Sequence, residues 1–280
     1  MQSNPLVSVG MPVKNGGAMF KRALDSVLNQ NYEHLEIIIS DNASTDETAA
    51  IATAAAASDL RVRYHRQQPN LSATNNFLFC VDQAQGEFFM WAAHDDLRSA
   101  DFVSSLLGAF EDEDVVLAFP DLFVTSQYGA SPEHVVYDFE NRGLGLGARL
   151  RKQALMQCRH IYGLWRADTL RSLPRVHTRW WGDIPIMMCA VARGTFAHIP
   201  GAQFVYLEVF KSDAERAKYQ DGVSDSSKLQ KVALLIHTSY VVLRPLVGRA
   251  YAFIGAVFVA EKVLKMATGF IKRRAVRWWA

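Results

Sequence analysis

Short apolar runs alternate with amphipathic segments over about the first 125 residues of the chain. A few consecutive apolar residues bounded by turn residues are typical of a buried strand, whereas apolar residues three and four positions apart are typical of a helix packed on a sheet. The pattern predicts strands at 7–13, 35–40, 61–65, 87–93 and 115–119, and helices at about 18–30, 46–57, 70–84 and 99–110. This alternation indicates an α/β fold with a largely parallel sheet and right-handed crossovers.

Acidic residues follow two of the predicted strands directly. Asp41 comes after the second strand, and His94, Asp95 and Asp96 come after the fourth. Ligands of open α/β sheets bind outside the carboxyl ends of the strands, so these side chains are expected to face a site for a polar, metal-bridged nucleotide ligand. The alternative is structural, because Asp is also common in turns and at helix caps, and His94 is either a ligand or a loop-packing residue.

Composition and charge are those of an ordinary folded enzyme. The chain has 280 residues and a formal net charge of only +2, which implies no general affinity for nucleic acid. Its three cysteines are far apart in the sequence and have no CxxC spacing, so we expect reduced, buried thiols in a reducing compartment. The first residues lack the charged start and apolar run of a secretion signal, which predicts a cytoplasmic location for this part of the chain.

The last part of the chain has a different pattern. From Lys228 onward apolar residues dominate, but the longest uncharged run, Ala250–Ala260, has only 11 residues. A spanning helix needs roughly 20, so this run is not expected to cross a bilayer cleanly. The cations and tryptophans near the carboxyl end favour a headgroup interface, which predicts an amphipathic helical tail that lies on a membrane. The alternatives are an ordinary helical subdomain and a dimer surface.

Four motifs in order carry a family resemblance: VSVGMPVKN at 7–15, SVLNQNY at 26–32, EIIIS with DNASTD at 36–46, and HDD at 94–96. Together they resemble the amino-terminal half of glycosyltransferase family 2, whose fold is the Rossmann-like GT-A fold. The resemblance is continuous from Val7 to about Leu97 and weaker to about Tyr206. It implies a GT-A domain at 1–225, with a nucleotide-sugar-binding half at 1–125 and an acceptor half at 126–225. The tail predicted from the apolar pattern occupies 226–280.

The resemblance implies roles for residues at the ends of the first two strands. Pro12 and Val13 would form the wall beneath the nucleotide base. Asp41 would accept hydrogen bonds from the base or ribose, while Asp46 would hold the loop.

The resemblance also implies a metal site after the fourth strand. The family pattern has two spaced acids, the DxD motif, often followed by another Asp, but this chain has Ala93 where the first acid is expected. Asp95 and Asp96 remain to hold Mg²⁺ or Mn²⁺ against the donor diphosphate. Independently of the family, a hard divalent cation on oxygen ligands stabilises the charge that a departing nucleoside diphosphate develops.

An acid at the start of a later apolar helix resembles the catalytic base of family 2 enzymes. Asp183 occupies that position, although an Asp two residues before Pro185 is also a common helix start. On the acceptor side, Trp181 could stack on a sugar face, with core packing as its alternative. Arg166 could pair with a phosphate, with a structural ion pair as its alternative.

The resemblance implies an inverting, metal-dependent glycosyltransferase that uses a nucleotide-sugar donor. The tail suits an acceptor hydroxyl of a cell-envelope or lipid-linked glycan at the cytoplasmic face of the membrane, where the enzyme would be peripheral. A homo-oligomer is left open. Two alternatives remain: a sugar nucleotidyltransferase, and a non-catalytic, membrane-recruited module that binds sugar nucleotides, which the missing acid at Ala93 favours.

Overall fold

The computed structural model describes residues 4–126, 130–175, 183–208 and 225–278 and, within the last range, the side chains of residue 233 and of residues 236–261. The chain forms two compact units. The first, here called the sheet unit, comprises Met1–Arg142, Arg159–Leu173 and Gly194–Phe210. The second, here called the helical unit, comprises Gly143–Cys158, Pro174–Arg193 and Lys211–Ala280. The domain boundary predicted at 225 stays a prediction.

All described strands belong to the sheet unit. They are β1 (Val7–Val13), β2 (Leu35–Asp41), β3 (Val62–Arg66), β4 (Phe88–Trp91), β5 (Leu97–Arg98), β6 (Val115–Thr125), β7 (Glu133–Val135), β8 (Leu164–Arg166) and β9 (Thr195–Leu207). The helices of this unit are α1 (Gly17–Leu28), α2 (Thr48–Ser58), α3 (Ala73–Gln83), α4 (Phe102–Leu107) and α6 (Ala167–Ser172), with short 3₁₀ helices at Gly108–Glu111 and Arg159–Tyr162. The helical unit contains α5 (Leu146–Leu155), α7 (Asp183–Arg193) and α8 (Asp225–Trp278).

The described strands form one mixed sheet in the order β3-β2-β1-β4-β8-β6-β9-β5, and β7 pairs with β6. The first four strands in this order are parallel, as the alternation of strands and helices predicts. Beyond β4 the sheet is mixed: β8 runs antiparallel to β4 and β6, β9 runs parallel to β6, and β5 runs antiparallel to β9. The predicted α/β fold, a GT-A-like sheet flanked by helices with a helical extension, is confirmed.

The core of the sheet unit follows from its apolar runs. Every residue of β1 and β2 is buried, as expected for parallel strands covered on both faces. Phe119 of β6 is fully buried, and its ring centroid lies 5.4 Å from that of Phe139 and 5.3 Å from that of Phe204. In both units the cysteines are buried and form no disulfide, as predicted.

The amino end of α2 is not capped by either of the hydroxyl residues that precede it. Ser44 and Thr45 lie too early in the chain, because α2 begins at Thr48 and the Glu47 side chain at its N-cap makes no capping hydrogen bond. Instead, the Thr48 amide donates to Oδ1 of Asp46 over 3.0 Å. The Ser44 hydroxyl accepts the amide of Asn15, which ties the end of β1 to the loop after β2.

The helical range α8 is broken at Gly248, where φ is 76° and ψ is 173°. This left-handed φ strains any residue with a Cβ, so glycine suits the position. A Cβ at Gly255 would lie 2.7 Å from Leu243 Cδ1. In a continuous helix these two residues would be about 18 Å apart. The chain therefore reverses direction across the break. The same position approaches Met188 Cε of α7 at 3.3 Å and Leu150 Cδ2 of α5 at 4.0 Å. A helical hairpin therefore packs on α5 and α7 within this unit.

Within the described part of α8, the stretch Ile236–Glu261 has 26 residues and is, by length and composition alone, long and apolar enough to cross a membrane. This differs from the expectation based on Ala250–Ala260 alone, because a span tolerates the isolated charges that interrupt the apolar run. The break at Gly248 falls inside the stretch. The stretch is therefore two helices packed side by side.

Candidate functional site

Asp41 lies at the carboxyl end of β2 and is fully buried. Its Oδ1 accepts the Ser44 amide over 2.8 Å, and its Oδ2 accepts the Tyr64 hydroxyl over 2.9 Å. Burial, together with the hydrogen bond to Asp41, raises the pKa of Tyr64 to about 12. A carboxylate has about four lone-pair sites, so Asp41 retains capacity for a further donor. Periodicity does not reveal Tyr64, because its role depends on the pairing of β3 with β2.

Pro12 and Val13 end β1 and pair in register with Ser40 and Asp41 of β2. Both are buried, and the Val13 carbonyl accepts the Asn42 amide over 2.8 Å. The backbone between β1 and α1 then turns sharply, with φ of 50° at Asn15 and 47° at Gly17. The predicted wall residues therefore lie beside Asp41, at the end of the sheet where the loops turn.

Asp95 and Asp96 follow β4, which flanks β1 on the side opposite β2. Asp95 is half-buried, whereas Asp96 is 1% exposed. Oδ1 of Asp96 accepts the Leu207 amide over 3.1 Å, while its Oδ2 is buried without a hydrogen-bond partner among the described residues. Burial raises the pKa of Asp96 to about 7, and the nearby charge of Asp95 adds to the effect.

Arg98 lies directly beyond these acids and is buried. Its Nη2 donates to the Trp91 carbonyl over 2.6 Å, and its guanidinium carbon lies 5.3 Å from the Phe102 ring centroid and 5.1 Å from that of Phe204. Burial lowers the pKa of Arg98 to about 10, against the attraction of Asp96. Arg98 is thus held inside the sheet unit by aromatic rings and a carbonyl.

A second arginine, Arg159, lies near Asp96 on the side of β9. The guanidinium carbon of Arg159 lies 4.7 Å from the Tyr206 ring centroid. The residue after Tyr206 is Leu207, whose amide donates to Asp96. Nη2 of Arg159 lies 3.8 Å from Oε1 of Glu208. Burial raises the pKa of Tyr206, and Asp96 raises it further. Sequence reasoning missed Arg159 and Tyr206, since both are distant in sequence from Asp95.

The described residues contain no group of three or more His, Cys, Asp or Glu side chains that could hold a metal ion. Mg²⁺ is commonly bound through one or two carboxylates together with substrate phosphates, so a two-carboxylate site fits this cation. The partnerless, buried Oδ2 of Asp96 beside Asp95 is the kind of oxygen that such a cation would satisfy. The residues present therefore fit a divalent cation that is completed by a diphosphate.

His94 lies close to the turn after β1. A Cβ at Gly16 would lie 3.2 Å from His94 Cδ2, so glycine leaves room for the imidazole there. The ring is half-buried. His94 therefore packs on the loop that follows Val13, in agreement with the loop-packing alternative.

The remaining predicted site residues are Asp183, Arg166 and Trp181. Asp183 is the first residue of α7, in the helical unit. Arg166 pairs with Phe88 at the start of β4, opposite the end that carries the acids, and its guanidinium donates to the carbonyls of Val115 and Phe110. The structure does not bring Arg166 to Asp95, and the contacts favour a structural role. Trp181 lies outside the described residues.

Comparisons with solved structures show the same fold. The chain aligns with Staphylococcus aureus TarS in complex with UDP-GlcNAc at a TM-score of 0.66 and 17% identity, over 92% of this chain and 71% of that one. It also aligns with the mannosyltransferase PcManGT of Pyrobaculum calidifontis in complex with GDP-Man and Mn²⁺, at a TM-score of 0.58 and 15% identity, over 99% of this chain and 84% of that one.

Sequence relatives include an uncharacterized glycosyltransferase of Rickettsia typhi, 30% identical over 41% of this chain. A second is the GalNAc(5)-diNAcBac-PP-undecaprenol beta-1,3-glucosyltransferase of Campylobacter jejuni, 27% identical over 75% of this chain and 67% of that protein. The match to the Rickettsia protein spans only 36% of its length. The family model described as Glycosyl transferase family 2 matches residues 8–162, more than half of the chain. This chain belongs to glycosyltransferase family 2.

Proposed function

We propose that this protein is an inverting glycosyltransferase that moves a sugar from a nucleotide-sugar donor to an acceptor hydroxyl. The observation that carries the proposal is the placement of two acidic groups around the end of β1. Asp41 ends β2 on one side of β1, and Asp95 and Asp96 follow β4 on the other. If a nucleoside diphosphate bound across the end of β1, its nucleoside would lie beside Asp41 and its diphosphate beside Asp95 and Asp96, here called the acid pair.

Asp95 and Asp96 would hold Mg²⁺ or Mn²⁺ against the diphosphate. When bound, such a cation stabilises the negative charge on the departing diphosphate. The fit of the two carboxylates supports this assignment, as does the mannosyltransferase whose structure contains GDP-Man and Mn²⁺. Pro12 and Val13 would form the wall beneath the base, and Asp41 would accept a hydrogen bond from the base or ribose.

Asp183 would act as the general base. The acceptor oxygen attacks the anomeric carbon on the face opposite the diphosphate, and its proton passes to the Asp183 carboxylate. As the new carbon–oxygen bond forms, the bond from the anomeric carbon to the diphosphate oxygen breaks, and its electron pair leaves with the diphosphate. Attack from the opposite face inverts the configuration at that carbon. Trp181 remains a proposed acceptor contact.

A glycan carried on a lipid at the cytoplasmic membrane face is the acceptor class that we propose. The Campylobacter relative is named for a lipid-linked acceptor. The helical hairpin exposes Val241, Tyr251, Phe253, Ile254 and Val257 at 38–64% of their surface. Exposed apolar side chains and the basic carboxyl end of the chain favour a bilayer interface, so the protein would be peripheral there.

Thermal unfolding with nucleotides, followed by a transfer assay, tests the proposal. We expect UDP or GDP, or the matching sugar nucleotide, to raise the melting temperature more with Mn²⁺ than without, since a ligand at about 100 times its Kd stabilises a protein by about 2.7 kcal/mol. The stabilising sugar nucleotide should then glycosylate a short-chain polyprenyl-diphosphate glycan. If no nucleotide stabilises the protein, the donor site is wrong. If a sugar nucleotide binds but is neither transferred nor hydrolysed, the protein is a non-catalytic module.

A further inference from the structure

The sheet unit contains an arginine, Arg159, close to Asp95 and Asp96. The proposed function assigns no role to this arginine. Arg159 begins the 3₁₀ helix that precedes β8, and its backbone amide donates to the Tyr137 hydroxyl over 3.1 Å. Its guanidinium lies over the Tyr206 ring. The next residue along β9, Leu207, donates its amide to Asp96. Arg159 is therefore one residue of β9 removed from the Asp96 contact, and its positive charge acts on the Asp96 carboxyl.

The guanidinium of Arg159 is available for a ligand. Nη2 of Arg159 lies 3.8 Å from Oε1 of Glu208, which is longer than a hydrogen bond, and 18% of the Arg159 side chain is exposed. Arg98 differs, because it is buried and already donates to the Trp91 carbonyl. Of these two arginines beside the acids, Arg159 is the one that a solvent-borne anion can reach.

We propose that Arg159 binds the diphosphate of the nucleotide-sugar donor, and that Tyr206 holds its guanidinium in place. This inference rests on the proposed function. A planar guanidinium presents paired N–H donors that match phosphate oxygens, and stacking on an aromatic ring orients that fork before a ligand arrives. When the anomeric carbon–oxygen bond breaks, the electron pair stays on the diphosphate, and Arg159 donates hydrogen bonds to the oxygens that gain charge.

The charges of the site give a reason for such a cation. Asp95 and Asp96 supply up to two negative charges, and Ala93 supplies none. These two charges are enough to neutralise one divalent cation bound to the two carboxylates. Arg98 adds a positive charge beside the acids, but it is buried and donates to the Trp91 carbonyl, so the nucleoside diphosphate needs a further positive partner that it can reach. Arg159 is placed to supply it from the side of β9.

Isothermal titration of UDP and GDP, and of UMP and GMP, into wild type and Arg159→Gln tests the inference, with and without Mn²⁺. Loss of a charge-assisted, bidentate contact should weaken diphosphate binding about 10- to 100-fold and monophosphate binding much less. Arg159→Lys should recover part of the affinity. Tyr206→Leu should weaken diphosphate binding several-fold, whereas Tyr206→Phe, which keeps the ring, should not. Melting temperatures of the variants without ligand identify any that fail to fold.

Arg142→Gln is the matched control, because Arg142 belongs to the same unit and already forms an ion pair with Glu140 at 2.7 Å. Its nucleotide affinities should equal those of wild type. Farnesyl diphosphate serves as a second diphosphate source. If Arg159→Gln weakens only farnesyl diphosphate binding, Arg159 serves the acceptor and the inference is overturned. Unchanged UDP and GDP affinities in Arg159→Gln also overturn it, while a wild type that binds no nucleotide overturns the proposed function itself.

Discussion

The sheet unit and the helical unit bury their apolar residues in different ways. In the sheet unit the strands are covered, and large side chains such as Phe119 and Trp165 have no exposed surface. In the helical unit Leu243, Ala252 and Val259 are buried between helices, yet Phe253 on the same hairpin is 64% exposed. The outer face of the hairpin suits an apolar or interfacial surface.

Polar groups show the same contrast. The sheet unit buries Asp41, whose two carboxylate oxygens both accept hydrogen bonds, and it also buries Asp96 and Arg98. Oδ2 of Asp96 and the Nε and Nη1 atoms of Arg98 have no hydrogen-bond partner among the described residues. Burying charged groups costs free energy unless they are paired, so their presence at one sheet edge indicates chemistry. The hairpin displays cations in solvent, with Arg244 and Arg249 exposed near the reversal at Gly248. This contrast supports the proposed donor site at the sheet edge and the proposed membrane contact of the hairpin.

The sharpest test of this comparison replaces one phenylalanine in each unit. Phe119→Ala should lower the free energy of unfolding by about 3–5 kcal/mol, because it leaves a cavity among Tyr137, Phe139 and Phe204. Phe253→Ala should change it by less than about 0.5 kcal/mol, because its side chain is mostly in solvent. Urea denaturation of both variants measures the difference. A large cost for Phe253→Ala would mean that another part of the protein covers the hairpin face.

The next test concerns the acid of the helical unit. Asp183→Asn keeps a side chain that can accept hydrogen bonds at the helix start but cannot take the acceptor proton, so turnover should fall about 100-fold or more with little change in melting temperature. Asp168→Asn is the control, because Asp168 also lies in the first turn of a helix, α6. Near-normal turnover of Asp183→Asn would leave only a structural role at α7.

The smallest expected effect is a pH-dependent gain in stability from Asp96→Asn. The pKa of Asp96 is raised in the folded protein, so the wild type without metal loses stability as pH rises from about 4 to about 7. Asn carries no charge, so without metal the variant should be more stable than wild type at pH 8 by on the order of 2 kcal/mol and little different at pH 4. Urea denaturation at both pH values checks this.

Asp121→Asn is the control of opposite sign. Burial alone would raise the pKa of Asp121, but hydrogen bonds from the Gly201 amide and from His198 outweigh it and lower the pKa. Its replacement should therefore reduce stability, and more at pH 8 than at pH 3. An Asp96→Asn variant that is less stable than wild type at pH 8 would show that the carboxylate is well compensated in the folded protein.

Much of the sheet could be predicted because its signals are local. β1 has the predicted bounds, and β2 and α3 lie within a few residues of theirs. β6 extends to Thr125, beyond the predicted end at 119. Its second half is a strand because it pairs with β7 and β9, a long-range contact that the apolar pattern does not reveal. The roles of Asp183, Asp41 and the acid pair stay predictions.

The sequence by itself determined the α/β order of the first half and the acids that follow β2 and β4, because strand periodicity and strand ends are properties of neighbouring residues. Only the tertiary structure decided which groups surround those acids. Asp96 is buried and bound by an amide 111 positions away, and Arg159 reaches the same edge through the pairing of distant strands. The reversal at Gly248 likewise depends on its backbone angle and on the contact of Gly255 with Leu243. Composition and periodicity describe which residues can be buried, whereas long-range packing determines which partners they meet.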